Sequence, residues 1–308
     1  MAQVSVGQAI GAGFRVLGRN PGVVLAWAAA LFVLGVLPQV AVFASVFPAI
    51  IGAYQEAART GLQGGHPSPD VMAGLNARFI GLQPVSSLAS LVSHTVLLGA
   101  VYRAVLEPEN RRFAYLRLGI QELWLGLAIL VMVIGAVLVA VAVAIPLAVV
   151  AAIVAAAGRA AGGAPGVAGL LVVAIALAGV GVVVWAMIRF SLALPMGFAQ
   201  RNFRFFESWS LTRGHAFQIF LVYFAVLLIA FLVELALLAV FGVGFLGVAA
   251  AGWRSLLSAR PEEILRRIAP WIPVWMVVAA VVGAVLQALI SAPVAEIYRE
   301  LSAEPEPA

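Results

Sequence analysis

The residues in this chain able to do chemistry are few, and they fall into two groups. His94 and Glu234 are the ionisable residues set deepest in long apolar runs, each roughly 10 to 13 residues, or about 15–20 Å, from the same end of its run. Matching depth makes contact between them possible and marks them as a candidate intramembrane polar pair, which could serve as a proton relay or a polar substrate site. Structurally it can also satisfy itself, or the serines Ser86, Ser87, Ser90 and Ser93 that precede His94. The structural reading is preferred, because a lone pair lacks the multiplicity of a transporter site. The second group is Arg189, Arg201, Arg204 and Arg213, interleaved with Phe203, Phe205, Phe206 and Trp209. Arginine forks hold phosphate through two parallel hydrogen bonds, and aromatic rings settle at headgroup depth. One reading is an interfacial anchor that obeys the positive-inside rule, and the sharper one is a recognition site for an anionic lipid headgroup.

Other chemistries lack their residues. Cysteine is absent, and all 18 basic residues are arginine, so thiolate metal sites, cysteine nucleophiles, Schiff-base lysines and a Walker A motif are excluded. His66, Asp70 and His215 show no metal-ligand spacing, and Ser191, Ser208, Ser210 and Thr212 sit in no Gly-x-Ser-x-Gly elbow. The expectation is a chain that is not an enzyme, with no metal and no cofactor. The sequence pI of about 10.4 reflects arginines at helix ends near anionic headgroups better than it reflects nucleic-acid binding.

These residues must be positioned by elements of one kind. The chain is 64% hydrophobic and 10% charged, where soluble domains are about a quarter charged. The expected fold is therefore an all-α integral membrane protein, a single polytopic domain over 1–308. Apolar runs place six spans at about 23–47, 85–106, 120–145, 167–190, 217–245 and 272–292. The run from 120 to 157 is longer than one span needs, and with no polar turn inside it reads as one tilted or kinked helix.

Residues 5–18 read as an interfacial helix capped by Ser5, with Val6, Ile10, Phe14 and Leu17 on one face. Arg15 and Arg19 ahead of a long apolar run argue for a retained span, not a signal peptide. Pro38 is expected to kink the first span. Residues 52–84, with Gly64, Gly65, His66, Pro67 and Pro69, read as the longest extramembrane loop. Arg111–Gly119 reads as interfacial, 158–168 as a glycine-rich closing segment, Glu262–Arg267 as a short amphipathic piece, and 302–308 as a disordered tail.

With six spans the flanking segments alternate sides. Eleven arginines then share the side of the N-terminus and seven lie opposite, which predicts both termini in the cytoplasm of a bacterial inner membrane. Trp124 and Trp185 fall near one set of ends, and Trp271 and Trp275 near the other.

An amphipathic, arginine-bearing segment followed by two spans recurs three times, opening at Leu17-Gly18-Arg19, Leu116-Arg117-Leu118 and Leu211-Thr212-Arg213. The copies close at Tyr102-Arg103, Ile188-Arg189 and Tyr298-Arg299. Each copy starts and ends on one side, so the repeats would be parallel.

The segment Arg189-Phe190-Ser191-Leu192-Ala193-Leu194-Pro195, followed by Glu207-Ser208-Trp209-Ser210-Leu211-Thr212-Arg213-Gly214, resembles the membrane-domain family attached to some glycerophosphodiester phosphodiesterases. In those enzymes catalysis belongs to a separate barrel with a His-Arg-Gly motif and metal-binding carboxylates. This chain has neither, so the resemblance implies the membrane part without the enzyme. The expected function is non-catalytic: organising lipid or partner proteins, with membrane lipids, anionic ones among them, and a protein partner or second copy as partners. A transporter or permease for a small molecule or lipid is the alternative, and a membrane-embedded enzyme or its accessory subunit comes last.

Overall fold

The computed structural model of the chain describes residues 4–19, 21–59, 67–160, 165–202, 204–250, 266 and 269–302. Gly64, Gly65, His66, Phe203, most of Glu262–Arg267, part of the 158–168 segment and the 302–308 tail beyond Ser302 lie outside the described residues. The elements are α1 (Val6–Arg19), α2 (Pro21–Leu31), α3 (Leu37–Arg59), α4 (Pro69–Leu106), α5 (Ile120–Ala160), α6 (Pro165–Phe190), α7 (Ala193–Gln200), α8 (Glu207–Leu211), α9 (Ala216–Ala250) and α10 (Ile272–Ser302). Among the described residues there is no strand.

Six helical stretches are long and apolar enough to cross a membrane: Pro21–Ala57, Pro69–Leu106, Arg112–Gly158, Gly169–Gln200, Ala216–Ala239 and Ala269–Ser302. Side chains such as Leu123, Leu138, Leu170, Leu177 and Leu238 are more than 60% exposed along them. Water solvates so continuous an apolar surface poorly, and by length and composition these helices suit the hydrocarbon of a membrane.

The helices are longer than the apolar runs, and the 52–84 stretch is corrected accordingly. It is not an irregular loop: α3 continues to Arg59 and α4 begins at Pro69. The start signals are in the sequence. Ser68 Oγ accepts a hydrogen bond from the Val71 N–H at 3.4 Å, Pro69 sits at the first helical position, and Asp70 stands in the first turn. Pro84 is absorbed inside α4.

Near Pro38 the distortion is a widened π turn over Phe32–Val36, where the Leu37 N–H bonds to the Phe32 carbonyl five residues back. Proline cannot donate to the carbonyl four residues behind it and its ring clashes there, and a wider turn just ahead removes that conflict. α5 is one continuous helix that passes Pro146 and ends at Ala160.

The chain divides into two compact units. One comprises Ala12–Arg117 and Ala225–Ala292, the other Met1–Gly11, Leu118–Phe224 and Pro293–Ala308.

In the first unit, close backbone approach organises the packing. A Cβ on Gly13 of α1 would stand 2.9 Å from Leu289 Cα of α10 and 3.3 Å from the Ala288 carbonyl. Ala280, Ala284, Ala288 and Ala292 recur every four residues on α10, each at most 2% exposed, so that side can lie flat against a neighbour. On α1 the buried residues in this unit are therefore Ala12 and Gly13, whereas Phe14, on the large apolar face that periodicity singles out, is 52% exposed.

The same unit holds a strained turn. Phe113, Ala114 and Tyr115 all have positive φ, between 54° and 64°, a conformation that costs a non-glycine residue about 1–2 kcal/mol. Two buried donors hold it. Trp27 Nε1 donates to the Ala114 carbonyl at 2.8 Å, and Arg103 Nη1 donates to the Tyr115 carbonyl at 3.0 Å. The Tyr115 hydroxyl donates to the Pro108 carbonyl at 2.9 Å. Arg103 is 1% exposed, so its charge is held inside the protein to fix this backbone.

In the second unit α5 and α6 run side by side, and α7 packs on α5. The Glu122 carboxylate accepts the Gly119 N–H at 2.8 Å, closing the start of α5. Near the end of α10, Glu300 Oε2 accepts the Ser5 N–H at 2.9 Å, and Gln200 Nε2 donates to the Tyr298 hydroxyl at 3.4 Å.

Candidate functional site

The site is built at the end of α6. Trp185 and Arg189 are four residues apart on one helical face, so the guanidinium lies over the indole of its own helix, 5.5 Å from the ring centre. Helix α8 supplies the second wall: the Trp209 ring centre is 5.4 Å from the same guanidinium carbon. The two indoles meet edge to face at 5.0 Å and 90°. Each cation–aromatic contact contributes roughly 0.5–2 kcal/mol, more as water is excluded.

What brings α8 against α6 is the carbonyl that the helix leaves free at Arg189. Ser208 Oγ donates to it at 2.8 Å and Thr212 Oγ1 at 3.4 Å, and both hydroxyl residues are fully buried. Phe190 extends the aromatic wall, stacking on Phe205 at 4.8 Å and 17° and touching Phe206 and Trp209.

The electrostatics are unbalanced at the centre of this clamp. Nε and Nη1 of Arg189 are enclosed and have no hydrogen-bond acceptor among the described residues. His215 Nδ1 and Gln218 Oε1, in the turns that follow Thr212, are enclosed and unpartnered in the same way. A buried donor without a partner costs about 1–3 kcal/mol, and more for a charged group. The walls are at the surface: Trp185 is 47% exposed and Trp209 39%. An anionic oxygen arriving from outside would complete the guanidinium.

The other arginines of the segment take different positions. Arg204 pairs with Glu207 at 3.0 Å, with both side chains about half exposed, a contact of small energetic weight. Arg201 ends α7 in the left-handed conformation, with φ 54°, and its side chain is exposed, as is that of Arg213. Among the described residues the side chains of Arg201 and Arg213 make no hydrogen bond or ion pair, and the Arg213 backbone N–H donates to the Ser210 carbonyl at 3.1 Å. The dent beside Arg204, between Trp124 and Phe205, holds about 10 Å³, room for one water.

The structure thus brings Arg189 and Trp209 together, while Arg204 pairs with Glu207 and the side chains of Arg201 and Arg213 share no partner with Arg189 among the described residues. Trp185 reads from sequence as one residue of an aromatic belt. Its four-residue spacing from Arg189 is the signal that pairs them. The hydroxyl cap by Ser208 and Thr212 has no local signal, because it joins residues 19 and 23 positions from Arg189.

His94 and Glu234 both present exposed side chains, and among the described residues no hydrogen bond or ion pair joins them. Ser86, Ser93 and Thr95 of α4 are satisfied elsewhere. Ser86 Oγ donates to Gln39 Oε1 at 2.7 Å, Gln39 Nε2 donates to the Ser86 carbonyl at 3.1 Å, and Ser93 and Thr95 bond back to carbonyls of their own helix. Among the described residues no three histidine, aspartate or glutamate side chains gather as a metal site would require.

Compared with protein families, curated proteins and solved structures, the chain matches none.

Proposed function

We propose that this chain is a non-catalytic, multi-pass protein of a bacterial inner membrane that holds anionic lipid headgroups and thereby organises lipid or partner proteins around it. The observation that carries the reading is the Arg189 guanidinium, walled by Trp185 and Trp209 and short of acceptors on two nitrogens. A lipid phosphate supplies those acceptors with charge assistance, and the indoles suit the headgroup layer. Arg201, Arg204 and Arg213 add positive potential around the clamp and draw anions to it.

In this reading both termini are cytoplasmic, so the clamp faces the anionic inner leaflet. The element order supports three parallel repeats. α1 precedes α2–α3 and α4, the Arg112–Tyr115 turn precedes α5 and α6, and α7–α8 precede α9 and α10. The residues before the three closing arginines, Tyr102, Ile188 and Tyr298, are all buried. The likeness to the phosphodiesterase membrane domains rests on the Arg189–Pro195 and Glu207–Gly214 segments, with a similar layout of interfacial helices and spans over most of the chain.

The test is lipid co-purification. Arg189→Gln keeps a neutral donor but loses the charged fork, so anionic phospholipid measured by mass spectrometry should fall severalfold relative to zwitterionic lipid. Replacing Arg201, Arg204 and Arg213 by glutamine should lower it less. Unchanged lipid in Arg189→Gln would leave the segment as an interfacial anchor only.

A further inference from the structure

Arg19 closes α1 and Arg111 follows α4, with the apolar stretches Pro21–Ala57 and Pro69–Leu106 between them, yet the two side chains line one pocket. Val16, three residues before Arg19 on the same face of α1, lines it with Val23 of α2, and Pro108 and Tyr115 line it from the segment that follows α4. All of these residues belong to one compact unit, through its Ala12–Arg117 part. The Pro108–Tyr115 side is fixed. The Tyr115 hydroxyl donates to the Pro108 carbonyl, the Tyr115 carbonyl accepts from buried Arg103, and the Arg111 N–H donates to the Glu109 carbonyl at 3.1 Å. The three positive-φ residues in a row end on Tyr115, so the strained turn is what sets this side of the pocket.

The charge in the pocket is unbalanced. Among the described residues neither the Arg19 nor the Arg111 guanidinium makes a hydrogen bond or ion pair. Their neighbours are engaged: Arg117 Nη2 donates to Asn110 Oδ1 at 2.5 Å, and Arg103 holds the Tyr115 carbonyl. Glu107 and Glu109 stand in the same segment and do not line the pocket. The negative end of α1 and the positive end of α2 meet beside Arg19 and offset each other, so the two guanidinium groups set the local potential. Two like charges on one small space repel unless an anion stands between them, and guanidinium forks suit phosphate oxygens. The pocket holds about 20 Å³, room for one or two atoms the size of a water oxygen. It admits oxygens of a phosphate and leaves outside whatever carries the phosphate. The apolar stretches start at Pro21 and stop at Leu106, so in a bilayer the pocket stands where hydrocarbon gives way to headgroups and water.

We propose that Arg19 and Arg111 together hold one phosphate group, carried by a lipid headgroup or by a free phosphate compound. The site shares no residue with the Arg189 clamp and does not depend on it.

The experiment maps phenylglyoxal modification of arginines by peptide mass spectrometry on the full chain in neutral detergent, with added inorganic phosphate, glycerol phosphate, phosphatidylglycerol, or diacylglycerol of the same chains. The chain has no lysine to compete for the reagent. A phosphate compound should slow modification of Arg19 and of Arg111 at least fivefold, with half-protection of both at the same concentration. Arg112, next in the chain and outside the pocket, should keep its rate. Protection by inorganic or glycerol phosphate assigns a free phosphate, and protection by phosphatidylglycerol alone assigns a lipid headgroup. In Arg111→Gln the same compound should no longer protect Arg19, and in Arg19→Gln it should no longer protect Arg111. Arg189→Gln should leave the protection as it is, whatever becomes of the headgroup reading at the clamp.

Wild type alone can overturn the proposal, through no protection by any phosphate compound, equal protection by diacylglycerol, which covers without a phosphate, or equal protection of Arg112, which marks general screening. Arg19 still protected in Arg111→Gln would show two independent arginines and overturn the shared site. Protection lost in Arg189→Gln would mean one site in place of two, with the same result.

Discussion

Two glycines six residues apart on α1 should respond to the same substitution with opposite signs. At Gly13 an added Cβ would lie 2.9 Å from Leu289 Cα, about 0.5 Å inside ordinary contact, and the obstructing atom is backbone. α1 and α10 must separate to admit it, and over-packing of this kind costs about 1–3 kcal/mol. Alanine returns roughly 0.5–1 kcal/mol through helix propensity, so Gly13→Ala should destabilise by about 1–2 kcal/mol net. At Gly7 nothing lies within 4 Å, and Gly7→Ala should stabilise by up to about 0.5 kcal/mol. The two variants then differ by roughly 2 kcal/mol, about 30-fold in the folding equilibrium. Reversible unfolding of detergent-solubilised protein by dodecyl sulfate, followed by tryptophan fluorescence, reads this directly. Leu289→Ala should not rescue Gly13→Ala, because the Leu289 Cα remains. A Gly13→Ala protein as stable as wild type would refute the close approach of α1 and α10.

The turn at Phe113–Tyr115 gives a second pair. Trp27→Phe deprives the Ala114 carbonyl of its donor and should destabilise by about 1–3 kcal/mol, whereas Ala114→Gly removes a left-handed alanine and should stabilise by up to about 1 kcal/mol in the same unfolding assay. A destabilised Ala114→Gly would mean the turn is not strained. Because the chain has no cysteine, single-cysteine variants can be labelled without background: positions 60–70 should react from outside the cell and positions 107–113 from inside, and the reverse pattern would invert the orientation.

The six apolar helices were legible because length and hydropathy alone specify them. Their ends were not. Apolar character stops near Phe47 and resumes near Val85, yet helix continues to Arg59 and restarts at Pro69, since backbone propensity and the Ser68 cap do not depend on lipid. The packing face of α1 was hidden for a related reason. Periodicity weighs large apolar residues, and in an apolar surrounding these can stay outside while alanine and glycine make the helix contact. At the candidate site Arg189 and Trp209 were visible as residue types, but the clamp depends on Ser208 and Thr212 reaching the Arg189 carbonyl, a contact of tertiary structure. The expectation that His94 and Glu234 meet rested on depth along two helices, and depth leaves rotation about each helix axis undetermined.

α5 carries one more consequence. Between Glu122 and Arg159 it has 36 consecutive uncharged residues, a run of about 54 Å. Set in a bilayer and tilted by about 40°, the steep end of what spans show, that run still rises about 41 Å, against about 30 Å of hydrocarbon. The excess of about 10 Å can be absorbed by bending at Pro146 or by drawing the surrounding lipids taller. Either response carries a modest energy for every ångström of mismatch, and that energy falls as the bilayer thickens. In a bilayer, a helix of this length favours the thicker patches, a preference set by a length and separate from any recognition of headgroups.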